Sequence, residues 1–388
     1  MTSINENKRE NKRLLVLTSA TGAGHDSHAF ATAAWCRQLY GPDVEVTIEH
    51  LLEDSHPFYR YGVDFYNFIQ RRMPWFHHIY YNVVELIEVL NFGTVSLGRD
   101  YYIRMLERVR PHAILSVMDC LNRGYFELAK ATLGADVKCA TYCTEFGGGY
   151  GCSRNWINPR ADYFLGRTED ATAAALRSGM APERALTVGH WAPPPFYAPA
   201  MDDEEKASYL RENLQLDPAR FTLLLSTGGA GAQNHTAIIR SLFPLGKRIQ
   251  VIALCGRDAQ AKASLDSWIG QAPFAVRTLP FTDEMPKLLQ VSSAVVARAG
   301  ATTAGEALIC NCPMIFNAIG LIMPQELPTW RYFRKHSIGF AAYRAEQIRR
   351  ILEQWLVHPD DYAQLRQRMQ AVQCMTTPEF ALRQLLGM

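Results

Sequence analysis

Short runs of apolar residues alternate along this chain with longer stretches whose apolar positions recur at helical spacing. Residues 14–18 form one such run, which ends in a small-residue loop at 19–24 and gives way to a helical pattern over about 27–40. The same signature returns at 44–49, 113–117, 137–142 and 163–165, with helical patterns between. Runs this short and this apolar suit strands covered on both faces, and strand, loop and helix in succession predict a parallel, doubly wound sheet. The pattern breaks at Pro193-Pro194-Pro195, passes through an acidic stretch at 202–205, and starts again. Further strands are expected at 221–226, 249–254, 294–297 and 314–317, the first followed by a glycine-rich loop at 227–231. The chain therefore reads as two tandem α/β halves, residues 1–197 and 198–369. A last helix, about 378–386 within the segment 370–388, is placed to cross back onto the first half. The expected fold class is α/β, with two Rossmann-like doubly wound domains facing a cleft.

Composition narrows this without redirecting it. A chain of 388 residues, 48% hydrophobic and 20% charged, has enough apolar material for two ordinary cores. A net charge of +2 without a basic stripe excludes a nucleic-acid binder. The nine cysteines are odd in number and scattered, and the one close pair, Cys310 and Cys312, is not a zinc pattern, so they read as reduced cytosolic thiols. Residues 1–13 are polar, and the four apolar residues at 14–17 are too few for a signal peptide. No segment approaches a membrane span. The expectation is a cytoplasmic protein able to touch a membrane surface.

Three segments carry candidate chemistry. In the first loop, Thr18-Ser19-Ala20-Thr21-Gly22-Ala23-Gly24-His25, small residues let a ligand approach the backbone, and His25 stands where the loop becomes a helix. An imidazole there suits removal of a hydroxyl proton, although a glycine turn with His25 as a helix cap fits the pattern as well. In the second half, Arg298-Ala299-Gly300-Ala301-Thr302-Thr303 opens a helix that carries Glu306 one turn in. Its backbone N–H groups and hydroxyls could hold a diphosphate and Glu306 a ribose; the bland alternative is a capping threonine with a favourable first-turn acid. Gln325-Glu326 follows a strand and loop, where an amide beside a carboxylate could read sugar hydroxyls or simply be a polar surface.

Taken in order, these segments resemble the monogalactosyldiacylglycerol synthases and processive diacylglycerol glucosyltransferases, and the related transferase that completes lipid II. The first loop is similar to the family's Thr-Gly-Gly-Gly-His loop. Trp156, Pro159 and Asp162 match its Trp-x-x-Pro-x-x-Asp segment, and residues 189–196 its proline-rich hinge. Cys255-Gly256-Arg257, Phe281 to Met285, Arg298 to Glu306, and Gln325-Glu326 follow in the family's sequence. The resemblance covers about residues 14–345 and implies a GT-B glycosyltransferase that inverts the anomeric centre of a UDP-sugar without a metal or other cofactor. It implies His25 as base, with Glu145 as a second catalytic candidate. The glycine loop (Gly228, Gly229), Arg257, Phe281, Met285, Gly300, Thr302, Thr303 and Glu306 would hold the nucleotide. Gln325 and Glu326 would hold the donor sugar.

The departures fall on the acceptor and sugar sides. Ala20 stands where the galactolipid enzymes have an acid, Glu145 where the family has Asp, and Thr329 where it has Asn. Between residues 58 and 92 there are 11 aromatics in 35 positions, with Arg71, Arg72, Trp75 and Phe76 as candidate acceptor or membrane contacts; an aromatic core helix pair is the competing reading. The expectation is hexose transfer to a lipid-like hydroxyl, with the protein peripheral on the inner face of the cell membrane. A UDP-sugar epimerase of the same fold, a transferase for a soluble aglycone and an inactive nucleotide-sugar sensor stay open.

Overall fold

The computed structural model describes residues 11–22, 24–73, 76–90, 95, 97–226, 234–373 and 376–388. Among the described residues twelve strands form two six-stranded sheets, all paired parallel. The first sheet contains β1 (Lys12–Thr18), β2 (Val44–His50), β3 (Ala113–Ser116), β4 (Lys138–Cys143), β5 (Tyr163–Gly166) and β6 (Ala185–Thr187) in the order β2-β1-β3-β4-β5-β6. The second contains β7 (Phe221–Ser226), β8 (Ile249–Leu254), β9 (Val276–Leu279), β10 (Ala294–Ala297), β11 (Met314–Asn317) and β12 (Gly339–Ala342) in the order β12-β11-β10-β7-β8-β9.

Except for β2, an edge strand whose apolar residues alternate over seven positions, the strand runs read from the sequence are central ones, and their burial explains why. Leu14 and Val16 pack into a cluster on one face of the first sheet, Leu15 and Leu17 into another on the opposite face, and all four are fully buried. A strand covered on both faces has no polar alternation, hence the continuous run. The strands that the sequence pattern does not announce, β6, β9 and β12, are all edge strands, short and only partly buried. An edge strand packs fewer neighbours and needs no apolar run.

In each sheet the strand order reverses once, between β1 and β3 in the first and between β7 and β10 in the second. Ligands in open parallel sheets bind outside the carboxyl ends of the strands at such reversals. The connection through residues 189–197 is tied to the first half: Tyr142 stacks on Trp191 at 4.5 Å and donates its hydroxyl to Gly189 O, while the Trp35 indole N–H donates to Ala192 O. The last helix, Glu379–Leu386, buries Ala381, Leu382, Leu385 and Leu386 in the core of the first sheet.

Candidate functional site

The loop after β1 is held by side chains from two following helices. Glu53 Oε1 accepts from the Ser19 hydroxyl and from the Ala20 N–H. Asn67 straddles the loop, donating to Ala20 O at 2.9 Å and accepting from Gly22 N–H at 3.0 Å. Gly22 has φ +70°, a left-handed backbone that a side chain would strain. Asp26 is occupied as well, accepting from the Thr18 hydroxyl and lying 3.0 Å from His50 Nε2. Ala20, which lacks the family's acid, therefore has a carboxylate beside its backbone, supplied by Glu53.

His25 opens the Gly24–Tyr40 helix and reaches across the first switch point, its Nδ1 2.7 Å from Val117 O just past β3. A carbonyl only accepts, so in the neutral ring Nδ1 carries the proton and Nε2 the lone pair. The ring lies 6.0 Å from Trp156. This is the tautomer and the restraint that a general base needs.

Glu145 follows β4, with one carboxyl oxygen buried and without a partner among the described residues. Burial pushes its pKa up to about 8; the Arg167 cation works against this and Asp119 adds to it. Asp119 sits just past β3, two residues beyond the carbonyl that holds His25. Neither Asp119 nor Arg167 was singled out by sequence. The available signal was position, since both immediately follow the end of a strand on the side where sites form.

Arg167 joins the halves. It is 2% exposed and donates to Ala301 O and to His28 Nε2, the latter at 2.9 Å. The His28 Nδ1–H donates to Trp191 O, and its pKa is held well below the usual imidazole range, first by burial and then by Arg167. Facing it, the Ala301–Ile309 helix begins at Gly300 beside the second switch point. Thr302 Oγ1 lies 3.4 Å from His28 Nε2, and a Cβ on Gly24 would come within 3.1 Å of that same oxygen. The N-termini of two helices thus meet across the seam, an arrangement that favours negative charge. Thr302 and Thr303 are half-buried in the first turn, and Glu306 is buried one turn later with its pKa pushed to about 8 by burial, against the pull of Arg167.

Farther along the second half, Arg257 lies over the ring of Phe281 at 4.4 Å, and Phe281 is 49% exposed. Met285 begins the next helix. Glu326, expected at the donor sugar, has both oxygens engaged: Arg298 binds them at 2.7 and 2.8 Å, and one also accepts from Met323 N–H. Its position ties the 318–326 loop to the end of β10. Gln325 stays available, one amide atom facing Tyr66 of the first half and the other buried without a partner.

Gly228, Gly229, Trp75 and the side chains of Arg71 and Arg72 lie outside the described residues. Phe76 is half-buried. The aromatic segment forms two helices, Pro57–Arg72 and His77–Leu90. Phe58, Tyr61, Phe65 and Phe68 on one, and Ile79, Val83 and Leu86 on the other, are each about half exposed or more, and both sets follow helical spacing. On these residues the core reading fails. Among the described residues no helix is long and apolar enough to cross a membrane, and no cluster of three potential metal ligands occurs.

Comparison with known proteins adds the following. Residues 222–317 match the glycosyltransferase family 28 C-terminal domain. The chain is 24% identical over 359 residues to a probable chloroplastic monogalactosyldiacylglycerol synthase of Glycine max, covering 89% of this chain and 65% of that protein, so it spans about two thirds of the plant relative's length. It is 22% identical over 372 residues to the processive diacylglycerol beta-glucosyltransferase of Staphylococcus carnosus, covering 93% and 89% of the two. Among solved structures, Acinetobacter baumannii MurG superposes with a TM-score of 0.63 at 13% identity, over 97% of this chain and 100% of that one. Anabaena Alr3699/HepE in complex with UDP-glucose does so with a TM-score of 0.53 at 11% identity, over 97% and 98%. The fold is GT-B, the second half carries a family 28 domain, and the homologues are named as glycosyltransferases.

Proposed function

We propose that this chain is an inverting glycosyltransferase that moves a hexose from a UDP-sugar to the hydroxyl of a lipid-like acceptor, of diacylglycerol or glycolipid type, at the cytosolic surface of a membrane. The observation that carries the reading is the meeting of the two switch points: His25, with Nε2 free to take a proton, lies on one side of the seam and the Ala301–Ile309 helix start on the other. In this reading the acceptor hydroxyl approaches His25, its oxygen attacks the anomeric carbon as the proton passes to Nε2, and the bond to UDP breaks. The helix start and the Thr302 and Thr303 hydroxyls receive the departing diphosphate. Glu306 holds the ribose, and Arg257 and Phe281 flank the base. The UDP donor is supported by the UDP-glucose complex of the structural neighbour, and the acceptor class by the names of the homologues.

The membrane surface is supported by seven exposed apolar residues among those described in the aromatic helix pair, which would enter the interface. A lipid acceptor leaves the bilayer at a cost of about 0.8 kcal/mol per CH₂, so the enzyme must approach it. The test is a set of UDP-sugars incubated with and without extracted lipids and read by mass spectrometry. A glycosylated lipid and released UDP support the reading. Epimerised donor without acceptor would replace it with an isomerase, and transfer only to water-soluble alcohols would move the acceptor off the membrane. Co-sedimentation with anionic vesicles, compared between wild type and a Phe58→Ser, Phe65→Ser, Phe68→Ser variant, tests the surface, and equal binding by the two would refute it.

A further inference from the structure

The inner side of the aromatic helix pair holds a group of polar atoms that the proposed chemistry leaves unused. Tyr66 and His77 stand edge to face with ring centroids 4.9 Å apart, and the Tyr66 hydroxyl reaches across the seam to Gln325 Nε2 at 3.3 Å. Gln325 Oε1 and His77 Nε2 are both buried and have no partner among the described residues. Turning the amide over does not help, because one tyrosine hydroxyl cannot satisfy both ends of Gln325. Buried polar atoms without partners carry a desolvation cost, and a group of them in one place points to a ligand that completes them.

The charge balance says which kind of ligand. Arg298, the cation nearby, is already paired to both oxygens of Glu326. Burial, and secondly Arg298, lowers the His77 pKa to about 4, so the imidazole is neutral. What remains is an amide, a phenol and a neutral imidazole. This set matches a neutral polyol and offers nothing to a phosphate or carboxylate. It also adjoins Gln325, which the resemblance read from the sequence places at the donor sugar.

We infer that Tyr66 and His77, from the acceptor half, complete the donor-sugar subsite with Gln325 and set which hexose is accepted. This rests on the UDP-sugar reading above. On sugar entry the long Tyr66–Gln325 bond is exchanged for bonds from both residues to sugar hydroxyls, and His77 Nε2 gains a partner. The aromatic helices then have two duties, an outer apolar face and an inner polar one. Because the inner face closes over the donor from the acceptor half, hexose recognition requires both halves to be together.

The experiment is calorimetric titration of the whole chain with UDP, UDP-glucose and UDP-galactose, comparing wild type with Tyr66→Phe and His77→Phe. Tyr66→Phe removes one oxygen and keeps the ring against His77. We expect each variant to bind UDP within twofold of wild type and to bind the preferred UDP-hexose about five- to tenfold more weakly, with the glucose-to-galactose preference reduced. A general packing defect would weaken UDP as well and lower the melting temperature. If both variants keep the wild-type gain of UDP-hexose over UDP and the same preference, the inference is overturned while the UDP site stands. A wild type that binds neither UDP nor either UDP-hexose overturns the reading of the site and this inference with it.

Discussion

At the first sheet's switch point nearly every polar group of the loop already has a protein partner. Glu53 and Asn67 hold its backbone, Asp26 is bonded to Thr18 and His50, and the His25 Nδ1–H donates to Val117 O. At the second, the helix start offers half-buried Thr302 and Thr303, and Gly300 has open space where a side chain would be. The same βαβ plan is therefore finished in two ways. The first end is organised in advance around one ring nitrogen, which suits proton transfer, where a small displacement is costly. The second leaves donors and room for a ligand to supply the missing partners, which suits binding.

The largest effect that tests this contrast is on turnover. His25→Ala should lower the transfer rate by roughly 100- to 10,000-fold while UDP affinity stays within twofold, measured by single-turnover kinetics and calorimetry. A variant with near-normal rate would remove the base from the first switch point. The converse change is Glu306→Ala, for which calorimetry should show UDP bound about tenfold more weakly, since leaving the ribose hydroxyls without their hydrogen-bond partner costs about 1–3 kcal/mol. If UDP affinity does not move, the second switch point is not a ribose site.

A smaller effect separates the two sides of the second helix. A Cβ on Gly305 would lie 2.3 Å from His190 Nδ1, whereas a Cβ on Gly300 meets nothing within 4 Å. Gly305→Ala should destabilise the chain by about 1–3 kcal/mol in denaturant titration, and Gly300→Ala should leave stability nearly unchanged. Equal melting behaviour of the two would mean that the halves are not packed together at His190.

A further test is the pH dependence of stability. Burial raises the Glu145 pKa from its ordinary value near 4.5 to about 8. Above the lower value the unfolded chain releases this proton while the folded chain keeps it, so stability declines as pH rises from about 4.5 to about 8. Glu145→Gln should flatten that decline, with the remaining slope carried by Glu306, which is raised in the same way. Denaturation midpoints between pH 5 and 9 that keep their full slope in the variant would show that Glu145 is ionised in the folded chain.

The central strands, the repeat of the α/β pattern and the loops after β1 and β10 were legible because each is a local consequence of residue type. Buried parallel strands must be apolar on both faces, as at Leu14 to Leu17, and close approach of backbone to ligand requires small residues. His25, Glu306 and Gln325 could be chosen because they follow those loops at short spacing. The edge strands β6, β9 and β12 could not, since three or four partly buried residues are too few to show a period, whereas the seven-residue edge strand β2 keeps its alternation of Val44, Val46 and Ile48. Nor could Glu53 at the Ala20 backbone, Arg167 on Ala301 O, or Tyr66 opposite Gln325, which are separated by 33, 134 and 259 positions along the chain. Such pairings exist only once the helices are placed on the sheets and the two halves on each other. A single chain therefore announces what each loop can do, while the partners that orient, neutralise or complete it are decided by packing between distant segments, where no spacing rule applies.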